Sequence, residues 1–219
     1  MDQAVIFDVD GVLVDSYEAH YQSWQRLCRE RGLRMTEAQF VATFGRTSRE
    51  IIRELWGDRC ATDQAVAELD ARKEELFREI LAKDFPAMDG AVELIDQLDA
   101  AGFRLALGSS GPPENVDLVL DALGCRHRFA AVVTGVDVTR GKPDPQVFLL
   151  GAERVGVVPA RCVVIEDAPA GVTAAHAAGM KCIAVVSTGR VREKLAAAEL
   201  IVSSLREVNA ERVRALIAN

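Results

Sequence analysis

The sequence predicts an α/β protein built on a doubly wound parallel sheet, with a helical domain inserted after the first strand. Three observations support this class. Short apolar runs alternate with helical patterns along most of the chain. Each run is too short for a helix and too apolar for a strand with one solvated face, which is typical of strands buried on both faces. Between residues 16 and 86, by contrast, the patterns are almost entirely helical.

The alternating elements can be placed in order along the chain. With 219 residues, the chain is long enough for one large domain or for a domain with an insert. The segments between the runs are predicted helices, and most of them are followed by a glycine, which is typical of a helix C-terminus. Helices that connect parallel strands form right-handed crossovers. The predicted strands are 4–7, 104–107, 131–134, 162–165 and 182–186, and the predicted helices are 91–101, 112–123, 144–155 and 170–178.

The interval from residue 16 to residue 86 interrupts this alternation. It holds helical patterns at 18–31, 37–43, 48–55 and 63–83, and no strand-like run of four residues. We therefore predict an α/β core formed by residues 1–15 and 87–219 and a small helical cap domain formed by residues 16–86.

Charge and cysteine usage exclude several classes of protein. Asp plus Glu number 33 and Lys plus Arg 26, giving −7 with no basic run, so neither a nucleic acid nor a membrane surface is expected as partner. No apolar stretch approaches the about 20 residues of a membrane span, and the N-terminus lacks the features of a secretory signal. The five cysteines form no CxxC pair, which argues against a zinc knuckle or disulfide framework. A monomer in the reducing cytoplasm is expected.

Polar residues follow four of the predicted strands at the point where each strand ends. In open α/β sheets, ligands bind outside the carboxyl ends of the strands, so these residues are expected to converge at one edge. They are Asp8 and Asp10 after the first strand, Ser109 and Ser110 after the second, Lys142 after the third, and Glu166 and Asp167 after the fourth.

The residue types indicate phosphoryl-transfer chemistry at that edge. Four carboxylates repel one another unless a cation neutralises them, and an all-oxygen ligand set favours Mg²⁺ with a substrate phosphate as a further ligand. A lysine and hydroxyl groups beside the metal are suited to bind phosphate. One carboxylate can attack phosphorus, and a second, two residues further along an extended strand, faces the same side and can act as general acid and base.

Each of these residues also has a structural alternative. The aspartates, the serines and Glu166-Asp167 could cap the helices that follow, and Lys142 could be a solvated charge in a loop. Four such caps at four strand ends have no common structural cause, which favours a shared site.

The motifs resemble those of the haloacid dehalogenase superfamily, in its phosphatase branch with a Rossmann-like core. Residues 8–16 are similar to its first motif, Ser109 to the second, Lys142 in Gly-Lys-Pro-Asp-Pro to the third, and Glu166-Asp167 with the following 168–180 to the fourth. The resemblance spans residues 5 to about 186.

By this resemblance, Asp8 is the nucleophile and Asp10 the general acid and base. The resemblance also implies that Asp8, the Asp10 carbonyl and Asp167 hold Mg²⁺, with Glu166 nearby or linked through water. Ser109 and Lys142, with Ser110 next to them, would bind the transferring phosphoryl group. The dehalogenases of the superfamily lack the second aspartate of the first motif, so Asp10 argues against that activity.

The insert resembles the helical cap of the β-phosphoglucomutase subfamily, whose cap residues serve the sugar and a second phosphate. Three positions keep structural alternatives: His20 as an ordinary helix-face residue, Arg49 paired with Glu50 or Glu54, and Lys73 on a solvated helix face. The matching residues are His20, Trp24, Gly45, Arg46, Thr47, Arg49 and Lys73.

Two departures from the mutase pattern favour a phosphatase. Ser16 stands where the mutases typically have threonine, and the loop after Ser109 runs Ser-Gly-Pro-Pro where the mutases usually have Ala-Ser-Lys-Asn. The expected function is a Mg²⁺-dependent phosphohydrolase acting on a small phosphorylated metabolite, with a sugar phosphate as the expected class, through an aspartyl-phosphate. The alternatives are a phosphohexose mutase and a non-catalytic sugar-phosphate-binding protein, and the complete set of motif residues weighs against the second.

Overall fold

A computed structural model describes residues 2–218 and divides into two compact units. The helical unit is Ser16–Pro86, and the sheet unit comprises the chain up to Asp15 and the chain from Ala87 onward. Among the described residues, no helix is both long enough and apolar enough to span a bilayer.

Within residues 2–218, the sheet unit shows six parallel strands in the order β3-β2-β1-β4-β5-β6. This arrangement confirms the predicted doubly wound α/β class. The strands are β1 Ala4–Phe7, β2 Arg104–Gly108, β3 Phe129–Val133, β4 Cys162–Glu166, β5 Lys181–Val185 and β6 Leu200–Val202. Strand β3 begins two residues earlier than predicted, at Phe129, and β6 was not predicted.

Strand β1 lies at the centre of the sheet, and its position determines which loops meet. Ile6 is in register with Ala106 of β2 on one side and with Val164 of β4 on the other. All four residues of β1 are fully buried, as the uninterrupted apolar run predicted. The chain winds toward β2 and β3 on one side and toward β4 and β5 on the other, so the crevice between the loops after β1 and β4 is a topological switch point.

Helices cover the sheet and close its core. The hydrophobic core includes Phe148 of the helix before β4 together with apolar residues of β1, β4 and β5. The helices of this unit are α5 Ala91–Ala100, α6 Pro113–Leu123, α7 Gln146–Val155, α8 Pro169–Ala177 and α9 Ala210–Ala218. Four of them lie within two residues of the predicted bounds, and α9 was not predicted.

The helical unit has its own hydrophobic core. Its helices are α1 Tyr17–Arg31, α2 Glu37–Thr43, α3 Ser48–Trp56 and α4 Asp63–Leu81. Thr36 and Thr47 precede α2 and α3 and form capping boxes. Each threonine side chain accepts the backbone N–H of Gln39 or Glu50, and the side chain of that residue accepts the backbone N–H of the threonine. Helices α1 and α4 pack against each other, and Trp24 and Phe40 are almost fully buried between the helices.

Candidate active site

Asp8 lies directly after β1, and the sheet fixes its position beside β4. Its backbone N–H donates to the carbonyl of Ile165 at 2.9 Å, which continues the parallel pairing one residue beyond the strand. The residue is 8% exposed, so its carboxylate lies in a nearly dry environment.

Lys142, in the loop after β3, contacts the residue that follows β1 and the last residue of β4. Its ammonium donates to Asp8 Oδ1 at 2.7 Å and to Glu166 Oε1 at 2.6 Å, and it lies 4.8 Å from the centre of the Phe148 ring. Burial would lower the pKa of Lys142, but the charges of Asp8 and Glu166 raise it above its usual value. The lysine is therefore a permanent cation at this edge of the sheet.

Glu166 uses both of its carboxylate oxygens. Oε1 accepts the bond from Lys142, and Oε2 accepts the backbone N–H groups of Asp167 at 2.8 Å and Ala168 at 2.7 Å. These N–H groups precede Pro169, the first residue of α8. No side-chain cap bond is formed at the N-cap residue Ala168, so Glu166 is not the helix cap that the sequence left open.

Asp167 is held by two residues that sequence reasoning missed. Ser187 Oγ donates to Asp167 Oδ2 at 2.7 Å, and Arg190 Nε donates to the same oxygen at 2.9 Å. Both follow β5, which ends at Val185. Inspecting the residues after every predicted strand, rather than after four of the five, would have singled out Ser187.

The carboxylates of Asp8, Glu166 and Asp167 form a compact cluster, in which one oxygen from each lies within 4.8 Å of the others. Burial raises the pKa of Asp8 well above its usual value, and the charges of Glu166, Asp167 and Asp10 add to this while Lys142 opposes it. Burial likewise raises the pKa of Asp167, against the charge of Arg190. The cluster therefore carries more negative charge than its surroundings favour, which is typical of a cation site.

Asp10, Ser109 and Ser110 complete the loops at this edge. Asp10 is partly exposed, and Ser109 is buried directly after β2 with its N–H donating to the Val133 carbonyl at 3.0 Å. Ser109 Oγ accepts the N–H of Gly111 at 3.0 Å, and Ser110 is partly exposed beside it. The structure thus places Ser109 directly after β2, beside β1, the strand that Asp8 follows.

In the helical unit, Lys73 lies in a buried polar cluster. Its side chain is 2% exposed, and its ammonium contacts His20 Nδ1 at 2.8 Å and Glu74 Oε1 at 2.9 Å. It also lies 5.4 Å from the Trp24 ring and 5.1 Å from the Phe77 ring, at distances typical of cation–π contacts. The solvated-face alternative for Lys73 is therefore wrong, because α4 turns this residue into the core of the unit.

The remaining predicted residues of the helical unit lie in the segment from 45 to 49. Thr47 caps α3, and Arg46 donates to Glu54 at 2.5 Å on the surface. Arg49 is 60% exposed and donates to Asp70 Oδ2 at 2.7 Å, so its partner is neither of the glutamates considered from the sequence. The structure does not join Arg46, Thr47 or Arg49 to the cluster of Lys73. Gly45 has a φ of +95° and forms the turn before them.

A comparison with protein families shows which family the chain belongs to. The model of the haloacid dehalogenase-like hydrolases matches residues 3–179, a range that contains Asp8, Ser109, Lys142 and Asp167. The chain belongs to this family. The family predicted from the four motifs is confirmed.

Similar proteins match this hydrolase over nearly its whole length. Validoxylamine A 7'-phosphate phosphatase of Streptomyces hygroscopicus subsp. limoneus is 32% identical over 215 residues, covering 95% of this chain and 96% of that protein. Hexitol phosphatase A of Escherichia coli strain K12 is 32% identical over 212 residues, covering 93% of this chain and 91% of that protein.

A solved structure reproduces the same fold. The crystal structure of β-phosphoglucomutase from Clostridium difficile has a TM-score of 0.87 and 24% identity, covering 100% of this chain and 98% of that chain. At this identity the likeness concerns the fold alone, and it agrees with a parallel α/β sheet that carries a helical insert.

Proposed function

We propose that this hydrolase is a Mg²⁺-dependent phosphatase that removes the phosphate group from a small phosphorylated metabolite, with sugar and polyol phosphates as the preferred class. The observation that carries the proposal is the contact of Lys142 with both Asp8 and Glu166, beside the carboxylate of Asp167. Two relatives of nearly the same length are named as phosphatases, one of them a hexitol phosphatase, which supports a polyhydroxylated substrate.

In the proposed first step, a carboxylate oxygen of Asp8 attacks the substrate phosphorus. The bond between phosphorus and the ester oxygen breaks, and Asp10 donates a proton to that oxygen as it leaves. An aspartyl-phosphate on Asp8 and a free alcohol result. In the second step, Asp10 takes a proton from water, the water oxygen attacks phosphorus, and inorganic phosphate leaves with Asp8 regenerated.

Lys142 and Ser109 bind the group that is transferred. Asp8 must be ionised to attack, and Lys142 favours the ionised carboxylate against the effect of burial. Ser109 Oγ accepts the N–H of Gly111, which leaves its own proton to donate to a phosphoryl oxygen. Lys142 supplies a second donor to the same group, because its ammonium has three N–H bonds and two carboxylate contacts.

The donor set fits Mg²⁺. Three buried carboxylates, of Asp8, Glu166 and Asp167, lie in contact with the cationic side chains of Lys142 and Arg190, and every potential metal ligand in the cluster is an oxygen. Asp8, Asp167 and the carbonyl of Asp10 would hold the ion, with Glu166 beside them. When bound, the cation neutralises negative charge on the carboxylates and on the phosphoryl oxygens.

The helical unit is proposed to act as the cap that selects the substrate. Its surface carries Arg46 and Arg49, whose resemblance to the mutase subfamily supports this role. Within the unit, the buried Lys73 of α4 contacts the partly exposed His20 of α1. The proposal includes a monomeric protein in a reducing compartment. The five cysteines, all buried and free, support the reducing compartment.

A phosphate-release screen tests the function. Purified protein is assayed against a panel of sugar, polyol and nucleotide phosphates with Mg²⁺, with EDTA, and with Mg²⁺ restored after EDTA. We expect turnover of sugar or polyol phosphates that EDTA abolishes and Mg²⁺ restores, and none by Asp8→Asn under the same conditions. Absence of Mg²⁺-dependent turnover of every ester would instead support the non-catalytic binding protein.

A further inference from the structure

The turn after β5 contributes an arginine to the candidate site. Arg190 closes this turn, since its backbone N–H donates to the carbonyl of Ser187 at 3.1 Å. Its side chain is 12% exposed and runs back to Asp167. Arg190 lies beyond residue 179, where the match to the family model ends, and no motif found in the sequence includes it.

Arg190 contacts both carboxylate oxygens of Asp167, and its shorter contact is with Oδ2. Arg190 Nε donates to Oδ2 at 2.9 Å, and Ser187 Oγ donates to the same oxygen at 2.7 Å. A second guanidinium nitrogen of Arg190 lies 3.4 Å from Oδ1, a much weaker contact. Because Oδ2 already accepts two short hydrogen bonds, Oδ1 is the better ligand atom for a cation.

The same arrangement occurs at Asp8, on the neighbouring strand. There, Lys142 donates to Oδ1 at 2.7 Å, so each of the two carboxylates has one oxygen held by a short hydrogen bond from a cationic side chain. A carboxylate fixed in this way loses less conformational freedom when it binds a metal, and such supporting residues tune metal affinity.

We propose that Arg190 is a positioning residue of this site, which with Ser187 holds Asp167 Oδ2 so that Oδ1 is oriented for the divalent cation. This inference rests on the proposed function in taking the cluster of Asp8, Glu166 and Asp167 as the cation site. Arg190 acts through Asp167 and does not itself touch the substrate. Its guanidinium also supplies the charge that balances Asp167 before the cation binds.

The test is a calorimetric titration of the full chain with Mg²⁺. Arg190→Met should raise the apparent Kd for Mg²⁺ by about 10- to 100-fold, the usual effect of losing a residue that orients a ligand. Arg190→Lys keeps the charge but loses the planar fork, so it should recover part of the affinity. Ser187→Ala, which removes the other donor on Oδ2, should weaken binding in the same direction.

The matched control is Arg192→Met. Arg192 lies on the same loop and is exposed, and its side chain donates a 3.0 Å hydrogen bond to the carbonyl of Ile201 rather than to the carboxylate cluster. It should leave Mg²⁺ affinity unchanged. Melting temperatures in EDTA separate a folding defect from a metal-binding defect. In phosphate release, kcat of Arg190→Met at saturating Mg²⁺ should fall less than the Mg²⁺ affinity does.

Two outcomes would overturn this inference: unchanged Mg²⁺ affinity in Arg190→Met and Ser187→Ala, or tighter binding in Arg190→Met, which would make Arg190 a competitor of the cation. A wild type that binds Mg²⁺ but hydrolyses no phosphate ester would overturn the proposed function alone. A wild type that hydrolyses esters with Mg²⁺ while the variants bind the ion normally would overturn only the role of Arg190. No binding of Mg²⁺ by the wild type would count against both.

Discussion

A Cβ atom placed on Gly11 would lie 2.2 Å from Asp167 Oδ2, far inside van der Waals contact. The loop after β1 and the carboxylate after β4 come this close only because residue 11 has no side chain. The φ of Gly11 is +74°, in the left-handed region that favours glycine. Gly11 therefore determines how closely Asp167 can approach the loop that carries Asp8.

Gly11→Ala should abolish Mg²⁺ binding and phosphate release, because the new methyl group displaces Asp167 from Ser187 and Arg190. Gly124→Ala is the matched control: its φ is +63°, and nothing lies within 4 Å of the added atom. Both changes carry the left-handed strain of roughly 1 kcal/mol, so a stability loss of that size with normal activity is expected for the control. Activity in Gly11→Ala equal to that of Gly124→Ala would show that Asp167 need not lie where the structure places it.

Asp8→Asn should reduce turnover below a hundredth of the wild-type rate, because an amide cannot form the acyl-phosphate. The variant should fold at least as well in EDTA. Burial raises the pKa of Asp8, so the ionised carboxylate of the wild type costs stability at neutral pH. Phosphate release and thermal melting measure the two effects. In the wild type, labelled phosphate trapped on the protein should be released by hydroxylamine, and Asp8→Asn should trap none.

Asp10→Asn separates acid-base catalysis from metal binding. Its backbone carbonyl is retained, so Mg²⁺ should bind with nearly wild-type affinity while the rate falls by roughly 10²- to 10⁴-fold, the usual contribution of a general acid or base. Calorimetry and phosphate release on the same preparation measure both quantities. A parallel collapse of Mg²⁺ affinity in Asp10→Asn would contradict the assigned role, because only Asp8→Asn is expected to weaken Mg²⁺ binding.

The sequence predicted most of the sheet unit because its signals are local. An apolar run four or five residues long followed by a polar residue is visible without any partner, and parallel strands necessarily bring their carboxyl ends to one edge. The contacts of Lys142 with Asp8 and Glu166, across 134 and 24 residues of chain, agree with that reasoning. Strand β6 has only three residues, two of them partly exposed, so it lacks the pattern that identified the others.

The unpredicted features depend on tertiary packing. Lys73 has charged neighbours in sequence that are typical of a solvated helix face, yet it is buried because α4 packs on α1 and places it against His20, 53 residues away. Arg190 reaches Asp167 through a turn whose geometry no spacing rule encodes. Arg49 finds Asp70 on another helix, whereas a sequence pattern offers only the near neighbours Glu50 and Glu54.

Glu74 should make the fold sensitive to acid. Burial alone would raise its pKa, but the charge of Lys73 and hydrogen bonds from Ser48 and Lys73 lower it to about 2 from the usual 4.5. A carboxyl with a lowered folded-state pKa stabilises the fold above its unfolded pKa, and this contribution is lost as pH falls through the folded value. Between pH 6 and pH 3, the wild type should lose on the order of 2 kcal/mol more unfolding free energy than Glu74→Gln.

Urea unfolding at a series of pH values measures this difference. Glu68→Gln is the control, because Glu68 lies on the same helix but is exposed, with a single bond from Gln64. The gap between wild type and Glu74→Gln should narrow as pH falls, while the gap to Glu68→Gln stays small throughout. A gap to Glu74→Gln that is constant with pH would mean that the cluster around Lys73 does not hold Glu74 ionised.

Arg49 distinguishes a phosphatase from a mutase, and α3 offers a matched control. Arg49 pairs with Asp70 at 2.7 Å, and Arg53, one turn further, pairs with Asp63 at 2.8 Å. The two arginines are 60% and 53% exposed, so losing either surface pair should change stability by less than about 1 kcal/mol. Arg49→Ala and Arg53→Ala thus remove the same charge at similar cost, and only Arg49 resembles the cap arginine of the mutases.

A mutase must bind the phosphate that is not reacting, because its bisphosphate intermediate has to reorient without dissociating. A bidentate arginine can bind a phosphate in this way. A phosphatase for a monophosphate has no second phosphate to hold. We therefore expect no primed conversion of β-glucose 1-phosphate to glucose 6-phosphate by the wild type, and a raised KM for phosphate release in Arg49→Ala with kcat little changed. Arg53→Ala should behave as the wild type. A mutase would be identified by primed interconversion that is faster than phosphate release and that Arg49→Ala, but not Arg53→Ala, abolishes. Only a mutase needs to bind the second phosphate for turnover.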